Sequence, residues 1–265
     1  MVKKISSIQN PLIKRILALK DKAKLRRKEG VFVVEGRREV SLAKQGGFQI
    51  QTLCFVPEMF DQNQVKSFSQ EGTELVQISN SVYEKLAYRG STEGVLALVN
   101  IKSTTLENLK LKSNNPLILV AESPEKPGNI GALLRTADAV KADAVLIADP
   151  TTDLFNPNVV RSSVGGLFST PVAVGTSREI IHFLDQHKIG IYSAILQDSV
   201  RYDTIDFCTA SAIVVGPEST GLSAIWRSSA TQCIHIPMLG TLDSMNVSVA
   251  AGILLFEAQR QRSFK

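Results

Sequence analysis

IHIPMLGTLDSMNVSVAAGILLFEAQRQR, residues 234–262, begins as a short apolar strand, passes through a turn-rich segment and continues as a long helix. Apolar residues recur at helical spacing from Val247 onward, which predicts a helix there, and Ser244 or Asn246 is suited to cap its start. The loop before the helix gathers backbone N–H and C=O groups with small polar side chains, an arrangement that can hold a small polar ligand or an anion. Taken by itself, the stretch is explained more simply as a capped loop ahead of a core helix.

Composition and cysteine usage restrict the class of protein. Hydrophobic residues make up 44% of the 265 residues and charged residues 21%, which is typical of a globular protein with a substantial core. No run approaches the roughly 18 apolar residues of a membrane helix, and the N-terminus lacks the apolar segment of a signal peptide. Cys54, Cys208 and Cys233 are scattered without C-x-x-C spacing, so we expect a cytoplasmic protein with neither a disulfide framework nor a zinc site. The three histidines form no ligand cluster, and His235, which alternates with apolar neighbours, is expected to be structural.

Positive charge is concentrated at the N-terminus. Residues 1–40 contain 12 Lys and Arg against four Asp and Glu, a net charge of +8, whereas the whole chain carries +5, so the remainder carries −3. A basic arm on a nearly neutral body favours a polyanionic partner such as RNA. A solvated basic helix is the alternative, and a removable presequence is disfavoured because the arm continues directly into a strand pattern.

The first hundred residues alternate helix and strand patterns. Asn10-Pro11 predicts the start of a helix that continues through basic residues and ends at Gly30. Strands are predicted at 31–36, 51–57, 74–79 and 94–100, and helices at 37–44, 62–70 and 80–87. The pattern indicates a compact α/β domain over residues 1–101, followed by a polar linker at 102–115.

The second half alternates more regularly and its strands are continuous apolar runs. Strands are predicted at 116–123, 142–149, 171–176, 189–196, 211–217 and 234–238, and helices at 129–140, 158–168, 177–187 and 222–229. Continuous apolar strands are typical of a parallel sheet covered on both faces. We therefore expect an α/β domain with right-handed crossovers over residues 116–265.

Polar residues follow several predicted strand ends, where ligands bind in open α/β sheets. Asn129 is predicted as a helix N-cap, and Arg135 on the same helix leans back toward it, near an anion or a ribose phosphate. A surface arginine explains Arg135 equally well. In the segment 156–168, Arg161 and Ser163 could contact phosphate, although a solvated helix start accounts for them nearly as well.

A G-P-E-x-x-G turn follows the strand predicted at 211–217. Gly216 would let a ligand approach the backbone, and Gly221 leads into a short helix. An ordinary strand-to-helix turn is the simpler explanation, with Glu218 as an acid of the first helical turn. No G-x-G-x-x-G occurs, so a nucleotide-dependent oxidoreductase lacks its fingerprint.

Taken in order, these motifs closely resemble the SpoU/TrmH family of SPOUT RNA methyltransferases. The motifs are N-x-G-x-x-x-R-x-A at 129–137, G-x-E-x-x-G-L at 216–222, I-P-M-x-G at 236–240 and S-x-N-V-S-V-A at 244–250. The resemblance covers about residues 116–262. The first half resembles the L30e-like substrate-binding domain that often precedes this domain, and NPLIKRI followed by FVVEGRRE is typical of a subgroup that acts mostly on large-subunit ribosomal RNA.

The resemblance implies a fold and a function that the patterns by themselves do not. It implies a C-terminal SPOUT domain with a parallel sheet and a deep trefoil knot, preceded by a smaller α/β L30e-like domain that binds RNA, in a homodimer. It also implies S-adenosylmethionine as cofactor and methylation of a ribose 2′-OH, in 23S ribosomal RNA ahead of tRNA. A non-catalytic RNA-binding ribosome-assembly factor on the same fold is the alternative of a different class.

The resemblance also assigns roles by motif position. The catalytic residues would be Asn129, Arg135, Glu218, Ser244 and Asn246, with no metal. The cofactor-binding residues would be Ile195, Gly216, Ile236, Met238, Gly240 and Met245. The RNA-binding residues, which are expected from the basic arm and from the segment 156–168 and not from a motif, would be Lys14, Arg15, Arg26, Arg27, Arg37 and Arg161.

Within this assignment, Arg135 positions the target phosphate and stabilises the alkoxide, because a guanidinium stays protonated in ordinary sites. Glu218 is expected to hold the knot loops. Two positions depart from the family pattern. Met245 replaces the usual leucine, which is a volume-conserving change, and Pro217 lacks the backbone donor that other family members have there.

Overall fold

The computed structural model describes residues 2–60, 62–88, 93–241 and 244–264, which form two compact units. The first unit comprises the chain up to residue 102 together with residues 153–169, and the second comprises residues 103–152 and 170 onward. Residues 153–169 were predicted to lie in the C-terminal domain, so the contacts divide the chain differently from the continuous boundaries 1–101 and 116–265.

The first unit is built on a five-stranded mixed sheet, in the order β1-β4-β3-β5-β2. Its strands are β1 (Lys3–Ile5), β2 (Val31–Glu35), β3 (Ile50–Phe55), β4 (Glu74–Ile78) and β5 (Val95–Asn100). Its helices are α1 (Pro11–Asp21), α2 (Ala23–Glu29), α3 (Arg37–Gln45), α4 (Gln62–Phe68), α5 (Asn80–Leu86), α7 (Pro157–Ser162) and α8 (Gly166–Ser169). Strands β1, β3 and β4 run parallel, whereas β5 is antiparallel to both β2 and β3.

The predicted basic helix is present but divided. Asn10 caps α1 by accepting a hydrogen bond from the Leu12 amide, as its sequence indicates, and Gly30 ends α2 in a left-handed conformation with φ of 64°. At Lys22 the backbone is extended, with φ of −110° and ψ of 102°, so the prediction of one continuous helix is wrong.

Aromatic packing explains why residues 153–169 group with the first unit. The ring centroid of Phe32 in β2 lies 4.7 Å from that of Phe155 and 6.4 Å from that of Phe168. Phe168 also packs edge-on against Phe48, at 5.3 Å. These rings bury a large apolar area, which holds α7 and α8 against β2 and α3.

The second unit contains a seven-stranded sheet in the order β10-β12-β9-β11-β6-β7-β8, in which every pair is parallel. Its strands are β6 (Leu117–Glu122), β7 (Ala144–Ala148), β8 (Val172–Gly175), β9 (Gly190–Ala194), β10 (Val200–Arg201), β11 (Ser211–Val215) and β12 (Gln232–His235). Its helices are α6 (Pro127–Ala139), α9 (Ser177–Gln186), α10 (Ala224–Ser228) and α11 (Val247–Gln261). Strands β6, β7 and β11 are buried along their whole length, so the predicted parallel sheet is confirmed.

Two local predictions in this unit are wrong. Strand β12 ends at His235 instead of Met238, and the next residues, 236–239, are irregular up to the bend at Gly240. Helix α6 begins at Pro127 with Lys126 as its N-cap, so Asn129 lies within the first turn and is not the cap. A proline at the first helical position is favoured because its missing N–H has no partner there in any helix.

Residues 103–115 belong to the second unit and are partly ordered by it. Leu106, Leu109 and Leu111 pack against a core cluster of that unit, and the Thr104 carbonyl accepts a hydrogen bond of 2.7 Å from the Val174 amide. None of the helices in the described ranges is long and apolar enough to cross a membrane.

Candidate active site

A cavity of about 590 Å³ lies at the carboxyl ends of three adjacent strands, β9, β11 and β12. The walls come from the residues that follow these strands and from the start of α11. Ile195, Ile236 and Met245 supply apolar surface, while Ser244 and Glu218 border it with polar groups. The volume falls within the ~300–1,000 Å³ that small-molecule sites occupy, and the mixed lining suits a ligand with both apolar and polar parts.

The turn after β11 is folded so tightly that position 216 requires glycine. A Cβ atom on Gly216 would lie 2.6 Å from the Leu222 amide nitrogen and 2.7 Å from the Gly221 carbonyl carbon. The turn brings residues 221 and 222 back onto Gly216, because Gly221 adopts a left-handed conformation and its N–H donates a 3.0 Å hydrogen bond to the Pro217 carbonyl. Proline at position 217 fits the turn, since this bond uses its carbonyl and not the missing N–H.

A carboxylate–amide cluster joins this turn to the starts of two helices. Glu218 Oε1 accepts hydrogen bonds from Asn246 Nδ2 at 2.7 Å and from the Val247 amide at 3.4 Å, and its Oε2 pairs with Lys126 Nζ at 3.2 Å. Asn246 Nδ2 also donates to Asn129 Oδ1, at 3.2 Å. Three of the motif residues, which are far apart in sequence, therefore meet at one point.

Asn246 has every polar atom of its side chain engaged. As N-cap of α11 its Oδ1 accepts bonds from the Ser248 amide at 3.0 Å and from the Ser248 hydroxyl at 2.5 Å. This arrangement confirms the predicted cap. Because both amide hydrogens face Glu218 and Asn129, the amide orientation is determined by its partners.

The electrostatics of the cluster keep Glu218 ionised. Lys126, the Val247 N–H and Asn129 all stabilise the carboxylate, in that order, and hold the pKa of Glu218 below its ordinary value. Since both carboxylate oxygens already accept hydrogen bonds, Glu218 is suited to fixing the three segments in place and not to moving a proton.

Arg135 lies on α6, six residues after Asn129. Its side chain is exposed, and within the described residues it forms no ion pair or hydrogen bond. The predicted contact between Arg135 and Asn129 is therefore not formed. A solvent-facing guanidinium with all five donors available is suited to binding a phosphate or an oxyanion.

The model of the SpoU rRNA Methylase family matches residues 116–256, which is more than half of the chain and includes every element of this site. The chain belongs to the SpoU rRNA methylase family. A second model, the MRM3-like substrate binding domain, matches residues 10–97.

Relatives of this SpoU protein match along nearly its whole length. The 23S rRNA (uridine(2479)-2′-O)-methyltransferase of Streptomyces viridochromogenes is 29% identical over 89% of this chain and 85% of its own. The 23S rRNA (guanosine(2553)-2′-O)-methyltransferase RlmP of Bacillus subtilis is 27% identical over 96% of this chain and 98% of its own. A crystal structure of an AdoMet-bound rRNA methyltransferase from Sinorhizobium meliloti superimposes with a TM-score of 0.89, at 29% identity, covering 98% of each chain.

Most of the residues that the family resemblance assigns to the cofactor line the cavity. Ile195, Gly216, Ile236, Met238 and Met245 line it, whereas Gly240 is exposed and does not. Their role as cofactor contacts stays a prediction.

The cavity wall also includes residues that were not predicted to belong to the site, among them His235 and Arg227. His235 lines the cavity and its Nδ1 lies 3.0 Å from the Ser199 hydroxyl, and Arg227 lines it as well. For His235 a signal was available, because it immediately precedes the I-P-M motif at a strand end. Arg227 carried none, since only the tertiary fold brings α10 to this edge.

The six basic residues predicted to bind RNA have different environments in the first unit of this SpoU protein. Lys14 and Arg27 are exposed, while Arg15 pairs with Glu29 at 2.7 Å and Arg37 donates to the Glu93 carbonyl at 3.1 Å. Arg161 is exposed as well. The sixth residue, Arg26, is described next.

Arg26 is only 1% exposed, so the prediction that it contacts RNA is wrong. Its Nε lies 2.6 Å from Asp153 Oδ2, and its Nη1 donates to the carbonyl oxygens of Leu19 and Lys20 at 2.6 and 3.0 Å. A buried guanidinium needs such partners to offset its desolvation, and these partners leave it no freedom to bind a ligand.

Proposed function

We propose that this protein transfers a methyl group from S-adenosylmethionine to a ribose 2′-OH of 23S ribosomal RNA. The observation that carries the proposal is the cavity of about 590 Å³, whose lining includes Glu218, the residue that is hydrogen-bonded to Asn246 in the cluster with Asn129. The relatives support the reaction and the class of RNA, since they are 23S rRNA 2′-O-methyltransferases. They differ in target, one acting on a uridine and the other on a guanosine, so the target nucleotide of this protein is left open.

The residues of the cavity fit such a cofactor. The side chains of Ile195, Ile236 and Met245 provide an apolar wall for an adenine ring, and the strand ends supply backbone donors and acceptors for its polar edge. When bound, S-adenosylmethionine supplies a methyl group already activated by its sulfonium charge. The protein must then align the ribose oxygen and help remove its proton.

Arg135 is the residue best suited to the acceptor side of the reaction. Its guanidinium stays protonated, so it would hold the phosphate next to the target ribose and stabilise the charge that develops on the 2′-oxygen. The proton would go to that phosphate or to water, because Glu218 is already fully engaged. Ser244, which is exposed at the cavity, would orient the ribose or the cofactor.

A direct test of the site is the binding of S-adenosylmethionine, measured by calorimetry. Ile236→Trp places an indole in the cavity and is expected to abolish binding. Gln186→Trp, at an exposed position of α9 outside the cavity, is the matched control and should bind as wild type does. Equal affinity in all three proteins would remove this cavity as the cofactor site.

We further propose a deep trefoil knot and a homodimer in the C-terminal domain, residues 116–265. Strand β12 lies between β10 and β9. Helix α11 packs on β11 and on α6, which comes much earlier in the chain, and this packing supports a threaded C-terminus. Leu239, Val249 and Phe256 expose 99%, 52% and 46% of their surface, and such apolar groups favour a second copy as partner. Acting on ribosomal RNA, the enzyme would work in the cytoplasm.

The proposed architecture places the RNA-binding domain at residues 1–101 and a linker at 102–115. The match of a substrate binding domain to residues 10–97 supports the first of these boundaries. Exposed Lys14 and Arg27 would hold RNA through its phosphates, so affinity should fall steeply with salt.

A further inference from the structure

The first unit contains a cavity of its own, of about 300 Å³. Its walls come from the end of β2, the start of α3, the C-terminal part of α1 and the helix α7, all within this unit. The volume is at the lower end of the range for small-molecule sites, which is enough for a single planar ring system.

One wall of this cavity is a stack of two planar groups. The guanidinium carbon of Arg161 lies 3.8 Å from the centre of the Tyr88 ring, and 41% of Tyr88 is exposed. Aromatic rings and arginine planes are the surfaces on which proteins stack unpaired RNA bases. An added base would extend this stack by one plane.

Three carboxylates also line the cavity, and two of them are engaged. Glu35 accepts hydrogen bonds of 2.9 and 3.0 Å from the Tyr88 amide and pairs with Lys20 at 3.7 Å. Glu93 accepts a hydrogen bond from the Arg37 amide.

Glu39 is the third carboxylate, and no side chain of the described residues donates a hydrogen bond to it. It is half-buried, and no Lys or Arg within the described residues forms an ion pair with it. Burial raises the pKa of Glu39, and the nearby Glu93 and Glu35 raise it further, although a backbone hydrogen bond opposes them. A ligand that donates hydrogen bonds to Glu39 would therefore relieve an unfavourable environment.

The charge of the cavity selects the kind of group that fits. Among the described residues that line it, three carboxylates outnumber two cations, Lys20 and Arg161, which disfavours a phosphate. A neutral ring with two adjacent N–H donors matches the two oxygens of one carboxylate. Among RNA bases, guanine offers this pair on its Watson–Crick edge, through N1 and the 2-amino group.

We propose that this cavity is a base-recognition pocket that takes one unpaired guanine of the substrate RNA, stacked on the Tyr88–Arg161 pair and hydrogen-bonded to Glu39. The proposal rests on the proposed function, in that it takes RNA as the substrate. The pocket would select the RNA and not perform the methyl transfer, so the guanine bound here differs from the methylated nucleotide.

The test is the binding of pentaribonucleotides to the full-length protein by fluorescence anisotropy. The probes are UUGUU, UUIUU and UUUUU, where inosine lacks only the 2-amino group. Wild type should bind UUGUU about tenfold more tightly than UUIUU, the scale of one bidentate base contact. Glu39→Gln should lose this preference while its affinity for UUUUU is unchanged. Glu58→Gln, at an exposed position away from the cavity, should retain it.

A second pair of variants keeps the test informative should Glu39→Gln fail to fold. Tyr88→Ala should weaken binding of UUGUU and UUIUU together, and Tyr88→Phe, which keeps the ring, should not. Equal affinity of wild type for the three probes, no binding of UUGUU, or an unchanged preference in Glu39→Gln would overturn the proposal.

The same preparations are assayed for methyl transfer to ribosomal RNA. Transfer without a guanine preference would refute the pocket alone. A guanine preference without transfer would refute the proposed enzymatic function and leave the pocket standing.

Discussion

Replacing Arg26 with methionine should destabilise the protein strongly without weakening its affinity for RNA. The substitution removes the charge and keeps the length of the side chain. It leaves Asp153, whose side chain is 14% exposed, without its partner, and it leaves the Leu19 and Lys20 carbonyls without their donor. Removing one member of a buried ion pair costs about 3–5 kcal/mol in the free energy of unfolding.

The neighbouring Arg27 is the matched control, because it is the same residue type on the exposed side of α2. Arg27→Ala should change the free energy of unfolding by less than about 0.5 kcal/mol. It should weaken RNA binding and lower the salt slope of the affinity by about 0.7–0.9 for each phosphate that the side chain no longer neutralises.

Urea unfolding followed by circular dichroism, together with RNA binding at several salt concentrations, measures both effects. Arg26→Met is expected to lower the unfolding midpoint and, under conditions where it is folded, to bind RNA as wild type does. A folded Arg26→Met protein with wild-type stability and weakened RNA binding would refute the assignment of this arginine to the interior.

Three further predictions concern the second unit. Gly216→Ala should weaken S-adenosylmethionine binding roughly 5- to 100-fold by calorimetry, because the added methyl group must displace the backbone at Leu222. The control Gly128→Ala, whose methyl group meets open space, should bind as wild type does. Equal affinities of the two variants would contradict the prediction. The pKa of Glu218 is lowered in the folded protein, so its stabilisation is present above the ordinary value near 4.5 and is lost as the pH falls through the lower folded value. The melting temperature of wild type should exceed that of Glu218→Gln at pH 7, and the difference should shrink below about pH 4.5; a difference independent of pH would contradict it. Phe256→Asp should halve the mass measured by sedimentation, since a charge is placed on the exposed apolar face of α11; an unchanged mass would exclude that face from the proposed dimer.

The regular elements were predictable because each leaves a local pattern. Continuous apolar runs indicate β6, β7 and β11, and helical spacing indicates α11, all of which the structure contains. Strands β1 and β10 were missed, since they are three and two residues long, lie at sheet edges and expose most of their side chains. Such strands are held by backbone pairing with a neighbour, which leaves no hydrophobic alternation to detect.

The site was predictable only where a motif specifies it. The motifs indicated that Asn129, Glu218 and Asn246 act together, and the structure joins them by hydrogen bonds. The interior position of Arg26 could not be predicted, because it depends on Asp153, which is 127 residues away in sequence. The exposed Lys14 and Arg27 and the buried Arg26 belong to the same basic run, and net charge does not distinguish between them.

Mapping methyl transfer from labelled S-adenosylmethionine to unmodified 23S ribosomal RNA, with wild type and Arg135→Ala compared in parallel, tests both the proposed reaction and the role of Arg135. We predict label at one nucleotide that resists alkaline cleavage, since that cleavage needs a free 2′-OH. We further predict a rate about 10²–10³ lower in Arg135→Ala, at unchanged affinity for S-adenosylmethionine. Label in tRNA would retain the chemistry and change the substrate. Normal RNA binding without transfer to any RNA would contradict the account and favour a non-catalytic ribosome-assembly factor.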